Sequence, residues 1–62
     1  MAERLLMSEE VAEILRVPVT TLQDWRYRGV GPRAARIGRR VMYRASDVDR
    51  WIEAAFTGER TA

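Results

Sequence analysis

Apolar side chains fall into separate groups along this chain, and their spacing changes from one group to the next. Val11, Ala12, Ile14 and Leu15 sit at i, i+1, i+3 and i+4, the stripe of an amphipathic helix. Ser8 precedes that stripe as an expected N-cap, and Glu9 and Glu10 fall in the first turn, where the helix dipole favours negative charge. Pro18 disfavours helical geometry at Val17, so this helix is expected to end near Arg16. Ahead of it, Met1–Met7 reads as a leading arm whose Leu5, Leu6 and Met7 pack onto the domain.

A second helix is expected almost at once. Pro18 suits its first turn, Thr20 and Gln23 have the spacing of a capping box (the cap itself is ambiguous), and Gly29 is a natural stop after Leu22, Trp25 and Arg28. Two short helices around a tight turn form a helix-turn-helix. Gly29, Gly31 and Pro32 then break the chain. Ala35-Arg36-Ile37 and Val41-Met42-Tyr43 flank the tip Gly38-Arg39-Arg40, which predicts a β-hairpin with Ile37, Val41 and Tyr43 facing the core. The last element is a helix capped by Ser46, with Asp47 and Asp49 in its first turn and a stripe of Val48, Trp51, Ile52, Ala55 and Phe56. The pattern shows no internal repeat and no linker.

The expected architecture is mainly α with a small β-hairpin, a winged helix-turn-helix: helix, turn, helix, two-stranded wing, C-terminal helix. One domain spans residues 1–62, with 1–4 and 57–62 expected to be flexible. A chain of 62 residues lies near the lower end of what folds without a staple. It has no Cys and no His, which excludes disulfides and the usual zinc sites and fits a cytosolic compartment. No apolar run approaches the roughly 20 residues of a membrane span, and no basic-then-apolar leader marks a secretory signal.

Charge adds what periodicity cannot. Formal net charge is +2, but it is unevenly placed. Glu3, Glu9, Glu10 and Glu13 against Arg4 give residues 1–15 a sum of −3. Arg16, Arg26, Arg28, Arg33, Arg36, Arg39, Arg40 and Arg44 against Asp24 give residues 16–44 a sum of +7, and residues 45–62 return to −2. A basic centre between acidic ends is the footprint of a surface that meets phosphate. All 11 basic residues are Arg. That type forks onto phosphate oxygens and guanine edges, although a GC-rich genome yields the same bias.

On the second helix, at about 100° per residue, Pro18, Thr21, Leu22 and Trp25 share one side. Thr20, Gln23, Asp24 and Tyr27 take the other, flanked by Arg26 and Arg28. A polar face edged by guanidinium groups suits a DNA major groove, with short polar side chains at base edges and Arg at phosphates. Gln23 fits adenine, Thr20 fits a base or a thymine methyl, and Tyr27 fits phosphate or sugar. Asp24 is better explained as an i,i+4 partner of Arg28. Taken alone, the helix is better read as the amphipathic helix that any small soluble domain contains. The adjacent Arg39 and Arg40 at a turn are harder to explain without a phosphate backbone or a narrow minor groove. Trp25, Trp51 and Tyr43 lie on apolar stripes and read as core rather than stacking platforms. No enzyme is expected: Cys, His and Lys are missing, the carboxylates sit at helix starts and solvated faces, and no glycine-rich phosphate loop precedes a helix.

Two strings carry a family resemblance. One is Met7-Ser8-Glu9-Glu10-Val11-Ala12-Glu13-Ile14-Leu15, then Val17-Pro18-Val19-Thr20-Thr21-Leu22 and Trp25. The other is Arg36-Ile37-Gly38-Arg39-Arg40-Val41-Met42-Tyr43-Arg44, Ser46-Asp47-Val48 and Trp51-Ile52. Over about residues 5–56 the chain resembles small MerR-like winged-helix proteins, among them phage excisionases (recombination directionality factors) and AlpA-type regulators. The resemblance implies double-stranded DNA as partner, with Val19, Thr20, Gln23, Arg26, Tyr27 and Arg28 as helix contacts and Arg39 and Arg40 in the wing. It implies no cofactor and no metal.

For an excisionase it further implies head-to-tail self-association on tandem sites, DNA bending, an integrase (tyrosine recombinase) partner and a nucleoid location in a bacterial cytoplasm. Glu9, Glu13, Asp47 or Glu53 of one copy would then face Arg residues of the next. An AlpA-like regulator would use the same surface, and an adaptor gripping an acidic partner is the alternative of another class. Full MerR regulators add a dimerisation helix and an effector domain. This chain stops at Ala62, so neither property is carried over.

Overall fold

The computed structural model describes residues 3–58. The flexibility expected of residues 1–2 and 59–62 lies outside them. In chain order the elements are β1 (Leu5–Met7), α1 (Ser8–Leu15), α2 (Val19–Arg28), β2 (Ala34–Ile37), β3 (Arg40–Arg44) and α3 (Ala45–Gly58). Three helices and a small antiparallel sheet make a winged helix-turn-helix, as the periodicity predicts. The sheet is one strand wider than expected. The leading arm is a strand that pairs with β3, Leu6 opposite Tyr43, so the order is β1-β3-β2. Three residues carry too little alternation to announce a strand, and β1 exists because β3 offers it a partner edge.

The turn of the helix-turn-helix is made by backbone. Arg16 adopts a left-handed conformation (φ 60°), its N–H reaches Glu13 O at 3.3 Å, and Val17 N–H reaches Ala12 O at 3.0 Å. This pair of bonds is a Schellman closure on a non-glycine residue. α2 ends the same way at Gly29 (φ 75°), with Gly29 N–H on Arg26 O and Val30 N–H on Trp25 O.

The helix starts differ from expectation. Met7, not Ser8, is the N-cap of α1, and its N–H donates to Glu10 Oε1 at 2.7 Å, the returning half of a capping box. Pro18 is the N-cap of α2; Thr20 and Gln23 are already helical and form no capping box, because Pro18 O accepts from both Thr21 and Leu22. Ser46 does not cap α3. The helix begins at Ala45, and the Glu3 carboxylate takes the capping role from across the sheet, accepting from Ser46 N–H at 3.2 Å and Ser46 Oγ–H at 3.0 Å. Ala45 N–H donates to Arg4 O beside it. An anion at a helix start satisfies free N–H groups whatever its place in sequence.

Leu6, Val11, Ala12, Leu22, Tyr43 and Val48 form the buried core, with Leu15, Val17, Val19, Trp25, Val41 and Ile52 among the side chains packed against it. Five positions expected to pack are exposed, Leu5 of the leading arm among them at 45%. Ile37 is 51% exposed because it pairs with Arg40 across a two-residue turn. It therefore shares a face with Met42, while Val41 and Tyr43 point to the other. Ile14 lies at the edge of the α1 stripe, beyond the arc that Val11, Ala12 and Leu15 bury. Phe56 is 77% exposed, and Ala55 is exposed too, because α3 outruns the layer it packs on.

Burial raises the Tyr43 phenol above its ordinary pKa of 10.0, while the nearby Arg26 charge opposes the rise. A neutral form favoured by folding contributes stability that is full below the unfolded pKa and lost as pH rises through the folded one. Tyr43→Phe is therefore expected to flatten the decline of Tm above about pH 10. Thermal melts of both proteins across the alkaline range check this, and parallel declines would contradict it.

Candidate nucleic-acid interface

α2 is anchored from below. Leu22 is 1% exposed at the centre of the core, and Val19 and Trp25 pack on either side of it along the helix. The Trp25 ring lies 5.5 Å from that of Trp51 at 38°. Gly31 (φ 82°) passes so close that a Cβ there would fall 2.8 Å from Trp25 Cε3. Any other residue would both clash and strain the backbone, so Gly31 is required where the chain leaves the helix. Both tryptophans are half-buried, and Trp25 packs against the core while Trp51 packs on Trp25.

What remains outward is polar. Thr20, Gln23, Asp24, Arg26, Tyr27 and Arg28 are all exposed, Tyr27 to 91%, and Val19 is half-buried at the base of the face. Arg28 Nε lies 3.2 Å from Asp24 Oδ2, the i,i+4 pair expected for Asp24. Both side chains are well exposed, so the pair adds little stability. Its effect is to fold Arg28 along the helix and cancel the one negative charge on this face. Arg26 and Arg28 also sit in the last turn, where the helix dipole favours cations.

The wing tip is tighter than Gly38-Arg39-Arg40 suggests. Gly38 has φ 64° and Arg39 does not share the positive φ, the pattern of a type II′ hairpin turn, and Arg40 is already the first residue of β3. The two adjacent guanidinium groups are thereby separated. Arg39 stays on the turn. Arg40 Nη1 lies 3.1 Å from Met7 Sδ, and its side chain lines a cleft of about 410 Å³ together with Val19, Gln23, Val41, Ser8 and Glu9. This cleft joins the start of α2 to the wing. Ser8 and Glu9 bordering Gln23 is not visible in the linear pattern, because it depends on how α1 crosses α2.

Asp47 is withdrawn from the surface. It is 8% exposed, accepts from Arg44 Nε at 2.8 Å and lies 3.5 Å from Arg50 Nη1. Hydrogen bonding to Asp47, more than its charge alone, raises the Arg44 pKa further. Asp47 is thus committed within its own chain and is removed from the carboxylates expected to face a second copy. Glu9, Glu13 and Glu53 are exposed. Among the described residues no cluster of three metal-ligating side chains occurs, and no helix is long and apolar enough to cross a membrane.

Two helices joined by a left-handed turn, the second with a polar outer face, and a hairpin with arginine at its tip beside them define a DNA-binding device of the winged helix-turn-helix class. A family model described as a helix-turn-helix domain matches residues 5–55, and the chain belongs to that family. DNA is the partner that this membership supports. No match was found among curated proteins or among solved structures.

Proposed function

We propose that this chain is a sequence-specific, DNA-bending architectural protein of the excisionase type. α2 lies in a major groove, with Thr20 and Gln23 at base edges and Arg26, Tyr27 and Arg28 toward sugar and phosphate. Arg39 enters the adjacent minor groove between its phosphates, and Arg40 lines the cleft that joins the wing to α2. The observation that carries this reading is the shared cleft: Val19 and Gln23 from α2 and Arg40 from the wing line one concavity. Helix and wing thus present one surface instead of two. No catalytic step, cofactor or metal is assigned to it.

A single module of this size covers roughly 600–1,000 Å² on DNA. Discrimination is then sharpened by several copies on adjacent sites, with Glu9, Glu13 and Glu53 of one copy toward arginines of the next. Bent DNA carrying such an array would shift an integrase toward excision. The test is a gel-shift titration on duplexes with one and with three copies of a selected site. Binding at three copies should be cooperative, and Glu9→Gln/Glu13→Gln/Glu53→Gln should reduce that cooperativity while sparing the single site. Tight, one-step binding at an isolated site with no gain from further copies would instead identify an AlpA-like regulator. Basic-surface binding indifferent to DNA sequence would reject both.

A further inference from the structure

We infer that the free edge of β2 and the groove beside it dock an extended segment of a partner protein in which apolar and acidic residues alternate. The register supplies the hydrogen-bonding half. Ile37 and Arg40 close the two-residue turn as a bonded pair, so the antiparallel alternation bonds Ala35 to Met42. It leaves the N–H and C=O of Ala34 and Arg36 pointing away from β3. β2 is a terminal strand of the sheet, and among the described residues these outward groups have no backbone partner. An edge of this kind is a template for strand addition.

The side chains supply the other half. On the face away from the core, Leu5, Ala35, Ile37 and Met42 line an open groove of about 250 Å³ together with Arg33, Ala34 and the paired Arg44 and Asp47. Among the described residues this leaves Arg33 and the neighbouring Arg36 as the cations here without an acidic partner. None of its lining residues belongs to α1 or α2, so it stays clear of the recognition helix. A strand added to β2 would place every second side chain beside this groove and the intervening ones beside Arg36. Apolar residues suit the first set and carboxylates the second. A second copy of this chain suits neither. No acidic residue occurs from Trp25 to Ser46, so two β2 edges would bring Arg33 and Arg36 of both copies into one short ladder. β2 is also a strand of the wing, so docking is tested on the protein free of DNA.

The probe is a capped peptide of alternating Glu and Val, titrated into the ¹⁵N-labelled full chain, with an alternating Lys and Val peptide as control. The Glu peptide should move the Ala34 and Arg36 amide signals and leave those of α1 unmoved, and the Lys peptide should do neither. Arg36→Pro deletes an outward N–H and a charge without removing a β2–β3 bond, and should weaken binding at least tenfold. Ala35→Glu, which adds a carboxylate to the groove rim, should weaken it similarly and carries the test if the proline variant does not fold. Shifts that miss β2, or equal binding of the Lys peptide, would overturn the inference. So would β2 signals that depend on protein concentration alone, which would mark a second copy as the occupant.

Discussion

Leu22→Ala should be the most damaging single truncation in this molecule. Leu22 is among the largest fully buried side chains and lies where α2 meets the core. Deleting a buried leucine to alanine costs about 2–5 kcal/mol, because the lost transfer energy is joined by the cavity left behind. A domain of this length has a total stability of roughly 3–9 kcal/mol. The variant should therefore lose from about a fifth to all of its stability in urea melts, and its DNA affinity near 37 °C should fall through unfolding alone. Phe56→Ala is the control: an equally apolar side chain, but exposed, with an expected change within about 0.5 kcal/mol. Similar losses for the two would mean that α2 is not held as the structure shows.

The second large effect separates two kinds of DNA contact. Gln23→Ala should cost about 1–3 kcal/mol on the preferred site, a loss of five- to more than one-hundredfold, and should relax the base preference at one position. Binding to unrelated duplex should barely change, because Gln23 neutralises no phosphate. Arg39→Ala should behave in the opposite way. It should weaken preferred and unrelated DNA together and lower the dependence of log affinity on log salt by about 0.9 for each phosphate left without its arginine. Fluorescence anisotropy at several salt concentrations, on both duplexes, reads both signatures. Identical profiles for the two variants would deny the division of labour between helix and wing.

The contrast between these residues also shows what a linear pattern can reveal. The faces of α2 follow from helical rotation alone, so the burial of Leu22 and the exposure of Thr20, Gln23 and Tyr27 are legible without coordinates. The Asp24–Arg28 pair is legible for the same reason. Positions fixed by another part of the chain are not. Glu3 caps a helix more than forty residues away, β1 forms only because β3 is there, and Asp47 is drawn inward by Arg44 and Arg50. Ile37 shows a subtler limit. The hairpin is evident, but which face its residues take depends on the turn being Gly38-Arg39 and not one residue longer. That same one-residue choice parts Arg39 from Arg40 and places the Arg40 guanidinium against Met7 at the edge of the cleft.

The central claim is that helix and wing read one continuous stretch of duplex, and methylation interference tests it most directly. A duplex selected from random sequence by the protein would be modified at guanine N7, in the major groove, and at adenine N3, in the minor groove. The account predicts interference at N7 within a short core and at N3 on one flank, with the flank signal lost in Arg39→Ala and the core signal retained. A library from which no sequence is enriched, or a core signal confined to the minor groove, would contradict it.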